Sequence, residues 1–199
     1  MDFLTHLWLP IVVSAAAVWM ASFLAWMVVG HHKNDWKEVP NEHEFIETVK
    51  RMGISPGSYG FPDFRRCAGM SKEQKHAKWE EMQKSPMGLL RVWGRISMGR
   101  NMLLTALVYL AVSVLIAYLG WNALPHGGMS VGELAVSVRP NFAKVMQVLG
   151  TAGILAYCFA GLPNDIWFQR SGREVLTSLI DGVVFGLITG AVFGWLWPG

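Results

Sequence analysis

Few residues in this chain combine a reactive type with a suggestive spacing. His31 and His32 are adjacent, and Asp35 follows three residues on, in the stretch HHKNDW. Two imidazoles and a carboxylate are ligand types of zinc and its first-row neighbours. On a continuous helix, however, adjacent side chains point about 100° apart, so one ion could take both histidines only where the helix unwinds. The expected role of the pair is therefore at a helix end, imidazole against the negative end of the dipole, and no metal is assigned. Metal ligation by His31, His32 and Asp35 is the alternative.

Asp181 is the other residue whose setting demands an explanation. Ser171 and Glu174 have capping-box spacing, so the last helix is expected to start there and run to about Trp197. Asp181 then lies roughly two turns beyond Val175, inside an apolar run. A carboxylate at that depth must face protein or water and find a partner. Arg95, Arg100 or Arg170 is the expected partner, in a structural ion pair; a proton or cation site at Asp181 is the alternative. The six histidines all fall in loops or at the ends of apolar runs, which argues against a bis-histidine haem. No GxSxG, HExxH, P-loop or dinucleotide glycine fingerprint is present, and Cys67 and Cys158 sit in segments of opposite character. No catalytic residue and no cofactor are assigned; a non-enzyme is the favoured reading, and an enzyme acting on lipid at the cytoplasmic interface through His31 and His32 is a further alternative.

The elements that position these groups follow from composition. Of 199 residues, 52% are hydrophobic, too many for an ordinary soluble domain of this size. Four stretches are long and apolar enough to cross a bilayer as helices, about 7–30, 102–121, 145–162 and 175–197. None alternates with period two as a barrel strand would. The chain is accordingly expected to be a single all-α membrane domain, polytopic, with four transmembrane helices and a helical cytoplasmic loop, 31–101, between the first and second. An outer loop, 122–144, and a short cytoplasmic loop, 163–174, complete it.

Orientation comes from the basic residues. Thirteen of the seventeen lie between Lys33 and Arg100, and Arg170 and Arg173 fall on the same side. Only Arg139 and Lys144 lie opposite. This bias puts both termini outside and the long loop in the cytoplasm. The net charge of +3 then argues for anionic headgroups as partners, not nucleic acid. Trp8, Trp121, Trp195 and Trp197 are expected in the outer interfacial belt, with Trp36, Trp93 and Trp167 in the inner one.

Within the long loop, Asn41 with Glu44 and Ser71 with Gln74 mark two helix starts. Between them a Gly- and Pro-rich segment carrying Tyr59, Phe61 and Phe64 is expected to be extended. After Ser85-Pro86, a helix lying in the headgroup layer is expected, with Leu89, Trp93 and Ile96 on one side and Lys84, Arg91 and Arg95 on the other, feeding through Arg100 into the second span.

Gly182, Gly186, Gly190 and Gly194 recur every fourth residue in the last span, on one face of a helix. In lipid, helices associate by close approach, and such a face is a docking groove. Ala17, Ala21 and Ala25 of the first span, at the same spacing, are the expected intrachain partner; a homo-oligomer seam or another membrane subunit is the alternative. HHKNDW after the first span and FGWLWP closing the last resemble segments of a group of small bacterial inner-membrane proteins of uncharacterised function. The resemblance covers the two ends of the chain, implies the bacterial inner membrane, and brings no activity with it. The reading is a non-catalytic accessory, assembly or scaffold subunit of a larger membrane complex of respiratory or photosynthetic type. A small transporter or ion-binding protein working through Asp181 with His31 or His32 is the alternative.

Overall fold

The computed structural model describes every residue except Met1, Phe64, Arg65, Arg66, Ala68, Gly127, Gly132, Glu133, Val138 and Gly199, and of residues 128–131 and 134–137 only the backbone. Helix α1 spans Asp2–Leu24, α2 Glu42–Arg51 and α3 Lys72–Gln83, with strands β1 (Gly57–Phe61) and β2 (Gly88–Val92) around α3. Helix α4 spans Met98–Ala123, and strands β3 (Gly128–Val131) and β4 (Leu134–Ser137) follow. Helices α5 (Phe142–Ile154), α6 (Leu162–Trp167) and α7 (Gly172–Leu196) end the chain.

Four helical stretches are long and apolar enough to cross a membrane: Asp2–Val29, Met98–Ala123, Phe142–Trp167 and Gly172–Leu196. This is the count and class expected of a multi-pass all-α membrane protein. Two of the four are not plain α-helices. The first widens into a π segment over Ala25–Val29, and the third does so over Leu155–Phe159 before α6. Pi segments put one extra residue into a turn and often sit beside functional groups.

The chain divides into two compact units, one made of residues 1–37 and 98–199, the other of residues 38–97. The segment expected as one loop is thus shared between them, with His31, His32 and Asp35 in the unit that carries the spans. In the second unit α2 forms where expected, although Asn41 adopts a left-handed conformation (φ 54°) and makes no side-chain cap. The Ser71–Gln74 box does form and starts α3.

The expected headgroup helix does not form. Residues 88–92 instead pair antiparallel with β1, Gly57 opposite Val92 and Phe61 opposite Gly88. Glycines at 88 and 94 flank the short stretch Leu89–Val92, and a neighbouring extended segment offers it a ladder. Lys84 therefore closes α3, Arg91 lies on β2, Arg95 follows it in an irregular stretch and Arg100 enters α4. They share no helical face. Phe64 lies outside the described residues.

The glycine face finds a different partner from the one expected. A Cβ at Gly186 would stand 2.5 Å from the backbone N of Ile154, and one at Gly190 2.7 Å from the Cα of Gly150. At Gly182 it would meet Cys158 and Tyr157, and at Gly194 the ring of Phe142. The nearest atoms to all four thus belong to the third span, not to Ala17, Ala21 or Ala25. The third span carries small residues of its own, Gly150 and Gly153, so the two backbones close on each other as side-chain-bearing helices cannot. The chain-terminal end of the bundle is filled by Leu7, Ile11, Ile116, Ala117, Leu124, Val145, Leu149, Phe193 and Trp197. Trp197, expected in an interfacial belt, is buried there and donates its indole N–H to the Pro125 carbonyl at 3.3 Å.

Candidate ion-binding site

The unwinding that a shared ion would require is present. Gly30 ends the first span in a left-handed conformation (φ 66°), its N–H bonded back to the Ala25 carbonyl, and His31–Asn34 continue as one 3-10 turn. A residue with a Cβ would be strained at that φ. The break turns the two imidazoles toward each other, ring centroids 4.2 Å apart, and both reach the fourth span.

They meet on Asp181. His31 Nε2 lies 2.9 Å from Asp181 Oδ1, and His32 Nε2 lies 2.9 Å from Oδ2. One ligand atom each from His31, His32 and Asp181 falls within 4.8 Å of the others. Asp181 stands about 14 Å along the helix axis from Gly172, at 1.5 Å per residue. Its side chain is 11% exposed, that of His32 4% and that of His31 26%, so the cluster opens to the surface along His31. Of the arginines expected as partners, Arg170 pairs with Asp165 and Glu174, Arg95 lies in the stretch before α4 and Arg100 in its first turn.

A further layer holds the cluster. Asp35, 1% exposed, accepts at Oδ2 from His32 Nδ1 at 2.7 Å and from the Thr177 hydroxyl at 2.7 Å. Arg173 Nε stands 3.4 Å from Asp35 Oδ1, and the same guanidinium donates to the His31 carbonyl at 3.3 Å. Trp26, in the π segment, stacks on His32 with centroids 4.0 Å apart and planes 9° from parallel. Thr177 and Asp181 are four residues apart on α7, hence on one face, and the turn at Gly30 carries His31, His32 and Asp35 to it.

This arrangement constrains protons. With a carboxylate on each ring nitrogen, His32 must donate from both, so the cluster alone favours the imidazolium. Burial opposes the charge, but the bonds to and charges of Asp181 and Asp35 outweigh it and raise the His32 pKa above 6.5. Burial likewise opposes the Asp35 carboxylate; the bonds from Thr177 and His32 and the charges of His32 and Arg173 overcome it and hold its pKa below 3.8. His31, by contrast, bonds through Nε2 alone, and its Nδ1 is buried with no hydrogen-bond partner among the described residues.

The same geometry suits a cation. A histidine that ligates metal through one nitrogen usually donates from the other to a carboxylate, which fixes its tautomer and raises its basicity. Asp35 supplies that bond to His32 Nδ1, leaving Nε2 for an ion shared with His31 Nε2 and Asp181. Asp35, first considered as a ligand, is thus placed behind His32. Asp181 meets the two imidazoles in its stead, from 150 residues away along the chain from His31. The signal that linked them was the isolated acid in an apolar helix, which must find a partner.

Comparison with protein-family models, with curated proteins and with solved structures returned no match. The chain is therefore described by what it shows itself: a small multi-pass membrane protein with a buried His/His/Asp cluster consistent with ion binding. No particular bacterial family is supported.

Proposed function

We propose that this protein binds a divalent transition-metal cation at His31, His32 and Asp181, as a small membrane transporter or ion-binding protein. The observation that carries the reading is the convergence of three ligand atoms within 4.8 Å at a helix break, with Asp35 already bonded to the far nitrogen of His32. Nitrogen and oxygen donors in a set of three suit zinc, cobalt or nickel better than calcium or magnesium. Calorimetric titration of the detergent-solubilised full chain with Zn2+ tests it. One saturable site that Asp181→Asn and His32→Gln abolish while the proteins stay monodisperse supports it; identical isotherms for all three proteins refute it.

A second reading, an accessory subunit of a larger membrane complex, draws on the third span. Lys144, Gln147 and Thr151 are exposed on one face of α5 and line a groove with Asn141, Phe142 and Leu187. Polar side chains on a span are usually covered by protein or headgroups. Gentle purification followed by identification of co-purifying chains tests this: a stoichiometric partner lost in Gln147→Leu supports it, and a chain that purifies alone or as a homo-oligomer does not. The basic-residue bias supports an orientation with both termini outside, and terminal reporter fusions check it.

A further inference from the structure

The unit of residues 38–97 keeps its acids away from one of its surfaces. All of its Asp and Glu residues precede Met82, on α2, on α3 and beside them. From Met82 to Asn101 the chain has no acid and carries Lys84, Arg91, Arg95 and Arg100. On the helices, charges are partly matched within a turn, Glu47 with Lys50 and Glu81 with Lys78. Arg91 and Arg95 are exposed and form no ion pair among the described residues.

The β1–β2 ladder is a two-stranded sheet by itself. Side chains alternate across it, so Leu89 and Arg91 share one face, opposite Gly60 and Ser58 of β1. Those small neighbours leave both side chains standing clear, and Leu89 is more than half exposed. Leu90 and Val92, on the other face, are half-buried. Beyond the ladder, Trp93 and Ile96 are also more than half exposed. An isolated two-stranded ribbon is marginal in water, and apolar side chains gathered at a surface mark an interaction site. The chain itself says what covers this one. Helix α4, the second span, begins at Met98. An extended residue covers at most about 3.6 Å, so Ile96 lies within about 7 Å of the start of the span and Trp93 within about 18 Å. The headgroup layer is therefore in reach of the whole stretch. Indole and aliphatic side chains alternating with guanidinium are the composition that layer takes: rings at headgroup level, Arg on lipid phosphate.

We propose that Leu89, Arg91, Trp93, Arg95 and Ile96 form a docking face for the anionic headgroup layer of the bilayer. The apolar side chains enter the interface, and the two guanidiniums pair with lipid phosphates. The ribbon takes the place of the helix expected in that layer, presenting the same residue types by strand alternation. A negative surface repels the acid-bearing helices and attracts this face, so the charge pattern orients the unit. The face serves whether or not the histidine–aspartate cluster binds a cation.

Spin-label accessibility of the full chain in lipid nanodiscs tests this. In a Cys67→Ser, Cys158→Ser background, nitroxides are attached at Leu89→Cys and, for reference, at Glu47→Cys on α2. Collision with oxygen, which concentrates in lipid, is compared with collision with a neutral, water-soluble nickel chelate. In phosphatidylcholine discs containing about a third phosphatidylglycerol, the oxygen-to-nickel ratio at 89 is expected to exceed that at 47 about fivefold or more. Removing the phosphatidylglycerol, or adding Arg91→Gln and Arg95→Gln, is expected to lower the ratio at 89 severalfold. Ser58→Cys, on the same face of the neighbouring strand, repeats the reading without touching β2. Equal ratios at 89 and 47 would overturn the proposal, and so would a ratio at 89 indifferent to phosphatidylglycerol. A label at 89 shielded from both reagents would overturn it in favour of a protein, another chain or a second copy, on this face.

Discussion

The two ends of the four-helix bundle are built on opposite principles. Where the first span ends and the fourth begins, His31, His32, Asp35, Arg173, Thr177 and Asp181 form one bonded network beneath Trp26. At the other end, Leu7, Ile11, Val145, Leu149, Phe193 and Trp197 pack with almost no accessible surface. In lipid an apolar side chain gains little by leaving the acyl chains, so the dry end is held by close packing. The polar end carries desolvation costs that an apolar filling of the same volume would avoid. Packing accounts for the dry end, whereas the charged end is the part consistent with ion binding.

The contrast can be broken at the seam both ends share. Gly186→Leu would drive a side chain into the Ile154 backbone and is expected to prevent the α5–α7 approach altogether, giving aggregated protein on size exclusion. A monodisperse variant with unchanged zinc binding would show that the glycine face is not the seam. At the dry end, Leu149→Ala should destabilise the protein by about 2–4 kcal/mol, read as a lower denaturation midpoint in mixed micelles. Zinc affinity in that variant should stay within twofold of the parent, since nothing in the cluster touches Leu149.

At the polar end, Asp35→Asn should weaken zinc binding about 10- to 100-fold with little effect on folding, the usual result of removing a carboxylate behind a ligating histidine. An unchanged dissociation constant would mean that His32 is oriented by Trp26 alone.

The smallest expected effect is in the pH dependence of the metal-free protein. His32 has its pKa raised in the folded state, so its stabilisation is full below 6.5 and is lost as pH rises through the folded value. Asp35 has its pKa lowered, so its stabilisation is present above 3.8 and is lost as pH falls through the folded value. The clamp is therefore strongest between those limits. The melting temperature should decline from pH 6 toward pH 9, and His32→Gln should flatten that slope. A parent that gains stability on the alkaline side would contradict the bonding described for His32.

How much of this was legible in the residues depends on whether the signal was local. Four spans follow from runs of apolar side chains, and the helix start at Ser171 from a hydroxyl three residues before Glu174, whose N–H it accepts. The requirement that the helix unwind for His31 and His32 to share anything was also legible, and Gly30 supplies the break. The partner of Asp181 was legible only as the alternative: an intramembrane carboxylate calls for a cation or a donor, and arginines were weighed ahead of His31 and His32. The glycine face likewise announced close approach without naming its partner. Ala17, Ala21 and Ala25 match its spacing, but Gly150 and Gly153 permit the shorter distance. The β1–β2 pairing was missed because helical spacing in MGLLRVWGRISMGR outweighed the glycines that bracket five extended residues.

X-ray absorption at the zinc edge of the purified, zinc-loaded chain tests the central claim most directly. The account predicts nitrogen and oxygen scatterers at about 2.0–2.1 Å, with the multiple-scattering signature of two imidazoles that drops to one in His31→Gln. A shell dominated by sulfur near 2.3 Å, or one with no imidazole signature, would contradict it.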